Sequence, residues 1–276
     1  MKRISLLIGA ISMVSAANAQ FLYSNQTDTN ASIAQLNAVG VASNAVAAPA
    51  GGSWSEVQTN GTLTNGTAGF GTATTFRLAD DFTFTGNPWD VTGFSVFGYQ
   101  TGSTGNPFSG GTLNLWNGDP SLTTSSIITT GVWTGATDSI NTSAGNKNVF
   151  RIFNGTASAN TITRRVWESS FALTTTLTAG TYWIDYSLIT VNGGGAFGPA
   201  TTHAGALGVS GANAKQFNGT TWAGINDTGS LGTGSTPQEM PFLVKGTVQG
   251  VPEPSTLAVL GLGALIALRK RSVKKS

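Results

Sequence analysis

Apolar and polar residues alternate with a period of two through much of the chain between residues 53 and 249. Clear examples are the pair Leu113 and Leu115 and the series Tyr182, Ile184 and Tyr186. This spacing puts successive apolar side chains on one face of an extended strand. No part of this region keeps a helical spacing long enough for an ordinary helix, so we predict an all-β fold. The predicted strands are 54–59, 75–85, 89–100, 111–117, 127–134, 148–153, 161–168, 171–178, 181–191, 214–217 with 221–225, and 241–248.

Turn residues separate these predicted strands. Asn-Gly pairs, which favour tight hairpin turns, occur at 60/61, 65/66, 154/155, 192/193 and 218/219. Many short strands joined by such turns are typical of sandwiches and barrels. We therefore predict that residues 53–249 form a single β-sandwich with jelly-roll-like connections, and a closed barrel is the alternative. Residues 20–52 are polar and rich in alanine, which predicts a lead-in with one edge strand.

Residues 1–19 have the three parts of a secretory signal peptide. Two cations at the start precede an apolar run from residue 4 to residue 14, and small residues follow it. We expect signal peptidase to remove this segment after export by the Sec route. The residues of the predicted cleavage site are Ala17, Ala19 and Gln20, with Gln20 as the mature N-terminus.

Residues 251–276 contain a Pro-Glu-Pro motif, an apolar run from Thr256 to Leu268 and then a cluster of cations. Each proline keeps the residue before it extended, and a helix is favoured to begin after the second proline. The apolar run would make about 20 Å of helix, short of the ~30 Å hydrocarbon core, so we predict a short membrane helix. Cations beside a span stay in the cytoplasm, which puts the body of the protein outside. The motif is Pro252, Glu253 and Pro254, and the cations are Arg269, Lys270, Arg271, Lys274 and Lys275.

This order of segments resembles the PEP-CTERM sorting signal of Gram-negative bacteria. The likeness lies in the Pro-Glu-Pro motif, in the helix with Gly261 and Gly263, and in the cations at 269–271, and the tail spans residues 250–276. The resemblance implies recognition by an exosortase-like membrane enzyme, transient anchoring in the inner membrane, and export to the cell surface or the exopolysaccharide matrix, with exopolysaccharide as a partner. An ordinary C-terminal anchor is the alternative, but such anchors usually have ~20 apolar residues.

Charge excludes one class of partner once the targeting segments are set aside. Two of the 14 cations lie at the start and five lie in the tail, so the body has seven cations. It has eleven of the 12 anions, because Glu253 belongs to the tail. The body therefore carries a net charge of −4 and has no basic patch for nucleic-acid phosphates. The chain also has no cysteine, which excludes disulfides, cysteine catalysis and thiolate metal sites.

The inventory of reactive side chains does not favour an enzyme. His203 is the one histidine, no serine lies in a G-x-S-x-G motif, and the glycine-rich stretch at 193–198 lacks the helix and later acid of a dinucleotide site. A glycosidase needs two carboxylates in one cleft, but Asp80 and Asp81 would point to opposite faces of a strand. We therefore predict no catalytic residues, no metal and no cofactor.

Tryptophan is the remaining indication of a ligand, since the indole ring stacks well on sugar rings. Trp183 and Asp185 lie two residues apart in a predicted strand and so share one face, as a ring beside a carboxylate acceptor would. Packing of Trp183 in the core is the favoured alternative. We predict an exported, non-enzymatic protein with a structural or interaction role at the surface or in the matrix. A secreted carbohydrate-binding module is the second hypothesis, and a glycosidase is the third.

Overall fold

The computed structural model describes residues 20–24, 53–54, 67–70, 75–138, 140–141, 146–147, 149–151, 163–199, 210–227 and 236–250. The predicted signal peptide, with Ala17 and Ala19, lies outside the described residues, as do the Pro-Glu-Pro motif, the cations at 269–271 and His203. Residues Gln20–Gln249 form one compact unit.

Every regular element in the described part of the chain is a β-strand. In chain order they are β1 (Gln20–Ser24), β2 (Ser53–Trp54), β3 (Thr67–Phe70), β4 (Arg77–Phe84), β5 (Trp89–Gly98), β6 (Phe108–Trp116), β7 (Ile127–Asp138), β8 (Ile140–Asn141), β9 (Asn146–Lys147), β10 (Val149–Phe150), β11 (Arg165–Leu177), β12 (Gly180–Thr190), β13 (Ala196–Pro199), β14 (Lys215–Phe217), β15 (Trp222–Gly224), β16 (Asn226–Asp227), β17 (Thr236–Pro237) and β18 (Phe242–Val248).

Most of these strands belong to one sheet, with the order β1-β18-β5-β11-β7-β6-β12-β4-β14-β15. Neighbours along this path are antiparallel, and the short β10 joins the side of β11 and pairs in parallel with β2. The edge strand expected in the lead-in is β1, in which Gln20 pairs with Gly246 of β18. The first and last described strands of the body are therefore neighbours at one edge.

The sheet curls so that strands distant in its order face each other. Phe82 of β4 lies 6.0 Å, between ring centroids, from both Phe94 of β5 and Phe242 of β18, and 5.7 Å from Tyr23 of β1. Apolar residues of both parts of the sheet meet in this core, because alternate side chains of a strand point to the same face. The all-β prediction is confirmed as a curled antiparallel sheet, and the jelly-roll connectivity stays a prediction.

One predicted boundary between strands was wrong. Segments 161–168 and 171–178 were expected as two strands, but β11 runs without a break from Arg165 to Leu177. Glu168 and Ser170 in the middle of β11 do not end the strand, because their side chains have a partner on β5. Ser170 lies 3.2 Å, between hydroxyl oxygens, from Ser95, and Ser95 donates to Glu168 at 2.6 Å.

Candidate functional site

The predicted sugar-contact residues lie in β12, which is central in its part of the sheet, between β4 and β6. Ile184, Tyr186 and Leu188 of this strand lie in the main core. Trp183 and Asp185 alternate with them and therefore share the opposite face of the sheet. Both are nevertheless buried, with 6% of Trp183 and 1% of Asp185 exposed.

Asp185 is the acceptor at the centre of a hydrogen-bond network that joins three strands. Arg77 of β4 donates from Nε to Asp185 Oδ2 at 2.5 Å. From β6, Asn114 Nδ2 donates to Asp185 Oδ1 and Oδ2 at 2.8 and 3.1 Å, and Trp116 Nε1 donates to Oδ1 at 2.9 Å. Arg77 also donates from Nη1 to the Thr112 hydroxyl at 2.6 Å. A buried carboxylate is stable only with such partners, so this network stabilises the register of β4, β12 and β6.

Trp183 lies beneath a second, smaller cluster on the same face. Lys215 Nζ lies 5.5 Å from the centroid of the Trp183 ring, within reach of a cation–π interaction. The same ammonium pairs with Asp119 and donates to the Ser121 hydroxyl at 2.7 Å, both in the turn after β6. Burial works to raise the pKa of Asp119, but the hydrogen bonds from Lys215 and Ser121 outweigh it and lower the pKa.

Sugar contact by Trp183 and Asp185 stays a prediction. In this arrangement a sugar ring would reach Trp183 only after the Lys215–Asp119 pair opened. Both oxygens of Asp185 accept hydrogen bonds from protein donors, so a sugar hydroxyl would have to compete with them.

The roles of Arg77, Asn114 and Trp116 as partners of Asp185 could not be predicted from the sequence. Their alternation with apolar neighbours shows only that they share a face of their own strands. They meet because β12 lies between β4 and β6. Arg77 and Asn114 are 108 and 71 residues from Asp185 along the chain, so local sequence patterns do not reveal this pairing.

The two adjacent acids of β4 lie on opposite faces, as the strand geometry predicted. Asp80 is fully buried on the side of the main core, where Oδ1 accepts from the Asp81 backbone at 2.8 Å and Oδ2 accepts from the Met240 backbone at 2.6 Å. Burial raises the pKa of Asp80 well above its ordinary value of 3.8, and the charge of Glu239 raises it further. Burial also raises the pKa of Asp81 on the other face.

The raised pKa of Asp80 predicts a stability that depends on pH. The folded state holds the Asp80 proton more tightly than the unfolded state does, so this group stabilises the fold below about pH 4. That contribution is lost as pH rises through the raised pKa, with a slope of up to about 1.4 kcal/mol per pH unit. We expect Asp80→Asn to remove this part of the slope in urea unfolding measured from pH 4 upward.

Asp119→Asn is the matched control, because the pKa of Asp119 is lowered whereas that of Asp80 is raised. Its contribution to stability is present above the ordinary pKa of 3.8 and is lost as pH falls further. This variant should leave the slope above pH 4 unchanged. Asp81, whose pKa is also raised, can leave a smaller slope. A slope above pH 4 as steep in Asp80→Asn as in the unaltered protein would contradict the assignment.

Neither a metal cluster nor a membrane helix occurs in the part of the chain that the structure describes. No three His, Cys, Asp or Glu side chains of these residues are grouped so that they could hold a metal ion. No described helix has the length and apolarity needed to cross a membrane. The predicted membrane helix of the tail falls outside the described residues.

The described chain leaves the sheet at a defined point. Gln249, directly after β18, donates its backbone N–H to Pro88 O at 2.8 Å and its side-chain Nε2 to Asp90 Oδ1, also at 2.8 Å. Asp90 Oδ1 accepts a further hydrogen bond of 2.6 Å from Thr176 of β11. Gly250 then has a φ of 75°, a left-handed conformation that glycine adopts without strain.

Comparison with known protein families and curated proteins gives one finding. No curated protein matches the chain. Among protein families, the match covers residues 250–272 and begins at Gly250. These residues include the Pro-Glu-Pro motif, the apolar run and the first cations, in the order that the resemblance required. The chain carries a PEP-CTERM protein-sorting motif at residues 250–272.

Proposed function

We propose that this chain is an exported, non-enzymatic protein of the cell surface or the exopolysaccharide matrix, delivered through its C-terminal tail. The observation that carries the proposal is the sorting motif at residues 250–272, which implies sorting to the exterior and processing by an exosortase-like membrane enzyme. Signal peptidase would remove residues 1–19 first. The tail would then hold the chain in the inner membrane until it is processed.

The limits of the compact unit support this division of the chain. The unit begins at Gln20, the predicted mature N-terminus, and ends at Gln249, one residue before the sorting motif. The pairing of Gln20 with Gly246 brings both limits to one edge of the sheet. A body of this kind can be held at one membrane by a segment at either end.

The role outside the cell is an inference from the sorting signal and from the side chains of the body. A net charge of −4 does not favour nucleic acid, and the residue inventory favours structure or interaction over catalysis. We propose that the protein lies among exopolysaccharide and that its body is a jelly-roll-like β-sandwich. The carbohydrate-binding module is the second hypothesis, and a glycan array probed with the exported protein separates the two.

Protease added to intact spheroplasts tests the topology on which the proposal depends. Residues 20–249 should be digested, because the cations at 269–275 place the C-terminal end of the precursor in the cytoplasm. A tag placed after Ser276 should be protected until the membrane is permeabilised. Digestion of the tag in intact spheroplasts, with the body protected, would contradict the proposal.

A further inference from the structure

The last residue of the compact unit is held firmly against the start of β5. Gln249 makes two hydrogen bonds of 2.8 Å, one from its backbone to Pro88 and one from its side chain to Asp90. Val248 pairs with Trp89 in the register of β18 and β5, so the sheet continues up to the residue before Gln249. The position of Gln249 is therefore part of the fold.

The sorting motif follows this fixed residue after a very short segment. Gly250 and Val251 are the two residues between Gln249 and Pro252. Three steps along the chain span at most about 11 Å even when it is fully extended. A single α-helix with its side chains is about 10–12 Å across, so an enzyme that closes around the motif has no room to avoid this end of the body.

The turn between β4 and β5, residues 85–88, contacts the chain at this exit through Pro88. Thr85, Gly86 and Asn87 are exposed, and Pro88 is the residue that accepts the backbone hydrogen bond of Gln249. Gly86 has a φ of 91°, which suits a tight turn. The turn has no charged side chain, so an approaching protein surface would not have to neutralise or desolvate a charge there.

We propose that the turn Thr85–Pro88 is a contact surface for the membrane enzyme that processes the sorting tail. This inference rests on the proposed function, since it needs a tail that is recognised and processed. It adds that the enzyme engages the folded body together with the motif, because only two residues separate Gln249 from Pro252. Gln249 acts as a positioning residue, because its hydrogen bonds hold the chain where it leaves the body.

Photocrosslinking from the full chain tests the contact. p-Benzoylphenylalanine replaces Asn87 in one chain and Val191 in another, and both are expressed with an epitope-tagged exosortase-like enzyme. Val191 is the matched control because it is exposed and follows β12, whereas Gly180 at the other end of that strand pairs with Phe84 beside the turn. Eleven residues of strand separate Gly180 from Val191, so the two probes are about 35 Å apart along the strand direction. We expect cross-linking to the tagged enzyme from position 87 and little from position 191.

A flexible insert between Gly250 and Val251 distinguishes two causes of a cross-link. One is a contact between the turn and the enzyme, and the other is that both proteins are attached to the same membrane. About six Gly-Ser residues add roughly 14 Å of mean reach. Cross-linking from position 87 should then fall roughly fivefold, because the turn is no longer held at the enzyme. Processing should continue, since the motif itself is unchanged.

The outcomes distinguish this inference from the proposed function. A processed chain that gives no cross-link from position 87, or a cross-link that the insert does not weaken, would overturn the contact surface and leave the sorting function standing. A chain that is not processed in any of these forms would overturn both.

Discussion

Replacement of Pro252, Glu253 and Pro254 by alanines should leave the chain in the membrane as an unprocessed precursor. The apolar run from Thr256 to Leu268 is untouched by this change, so the tail should still partition into the bilayer. What the variant loses is the rigid, extended Pro-Glu-Pro segment, since alanine neither fixes φ nor disfavours helix in the preceding residue. Processing should fall to background when precursor and mature product are compared by mass.

The matched control changes Ser255 and Thr256 to alanine, directly after the motif. These substitutions alter neighbouring residues of the same tail but keep both prolines and Glu253, so processing should stay close to that of the unaltered chain. Mature product of unchanged mass and amount from the triple-alanine variant would show that the motif is not what the processing enzyme recognises.

Replacement of Asp185 by alanine should be the most damaging single substitution in the Asp185 network. The carboxylate is 1% exposed and pairs with Arg77, whose side chain is 15% exposed. Without Asp185, a largely buried guanidinium and the donors of Asn114 and Trp116 lose their shared acceptor. Breaking a buried pair in this way costs about 3–5 kcal/mol, a large part of the ~5–15 kcal/mol that stabilises an ordinary domain. Urea unfolding measures the loss directly.

Asp119→Ala is the control for the loss of an ion pair on the same face. Its partner Lys215 has a side chain that is 22% exposed, and such pairs near the surface contribute at most about 1 kcal/mol. The double variant Asp185→Leu with Arg77→Met should recover part of the loss, because it removes both charges. If Asp185→Ala cost no more than Asp119→Ala, the network would not be what stabilises these three strands.

Local sequence patterns predicted the long strands, but they missed short ones such as β3 and β13 and did not show which strands lie together. Leu113 and Leu115 alternate with polar residues and do lie in a strand with their side chains in the core. The period of two reports which face a residue occupies, and burial of that face follows from the hydrophobic effect. Strand order depends on pairing between distant segments, which no local pattern records.

The sequence favoured burial of Trp183, which is 6% exposed, but it did not predict which side chains lie against Trp183 and Asp185. Their shared face was predicted from spacing, but the side chains of β14, β4 and β6 that lie against Trp183 and Asp185 come from distant parts of the chain. The sequence also did not predict that β11 is continuous, since Glu168 and Ser170 have their partner, Ser95, on a distant strand. The sorting tail could be recognised from sequence alone because its information is local: two prolines, an apolar run and adjacent cations in a fixed order.

Transfer of residues 250–276 to the C-terminal end of an unrelated exported reporter tests most directly whether the tail is a sorting signal. The reporter would be expressed in a host with the exosortase-like enzyme and in the same host without it, and its mass would be measured in membrane and released fractions. We predict that the reporter stays in the membrane as a precursor without the enzyme and is shortened and released with it. A reporter of the same mass and in the same fraction in both hosts would contradict the account.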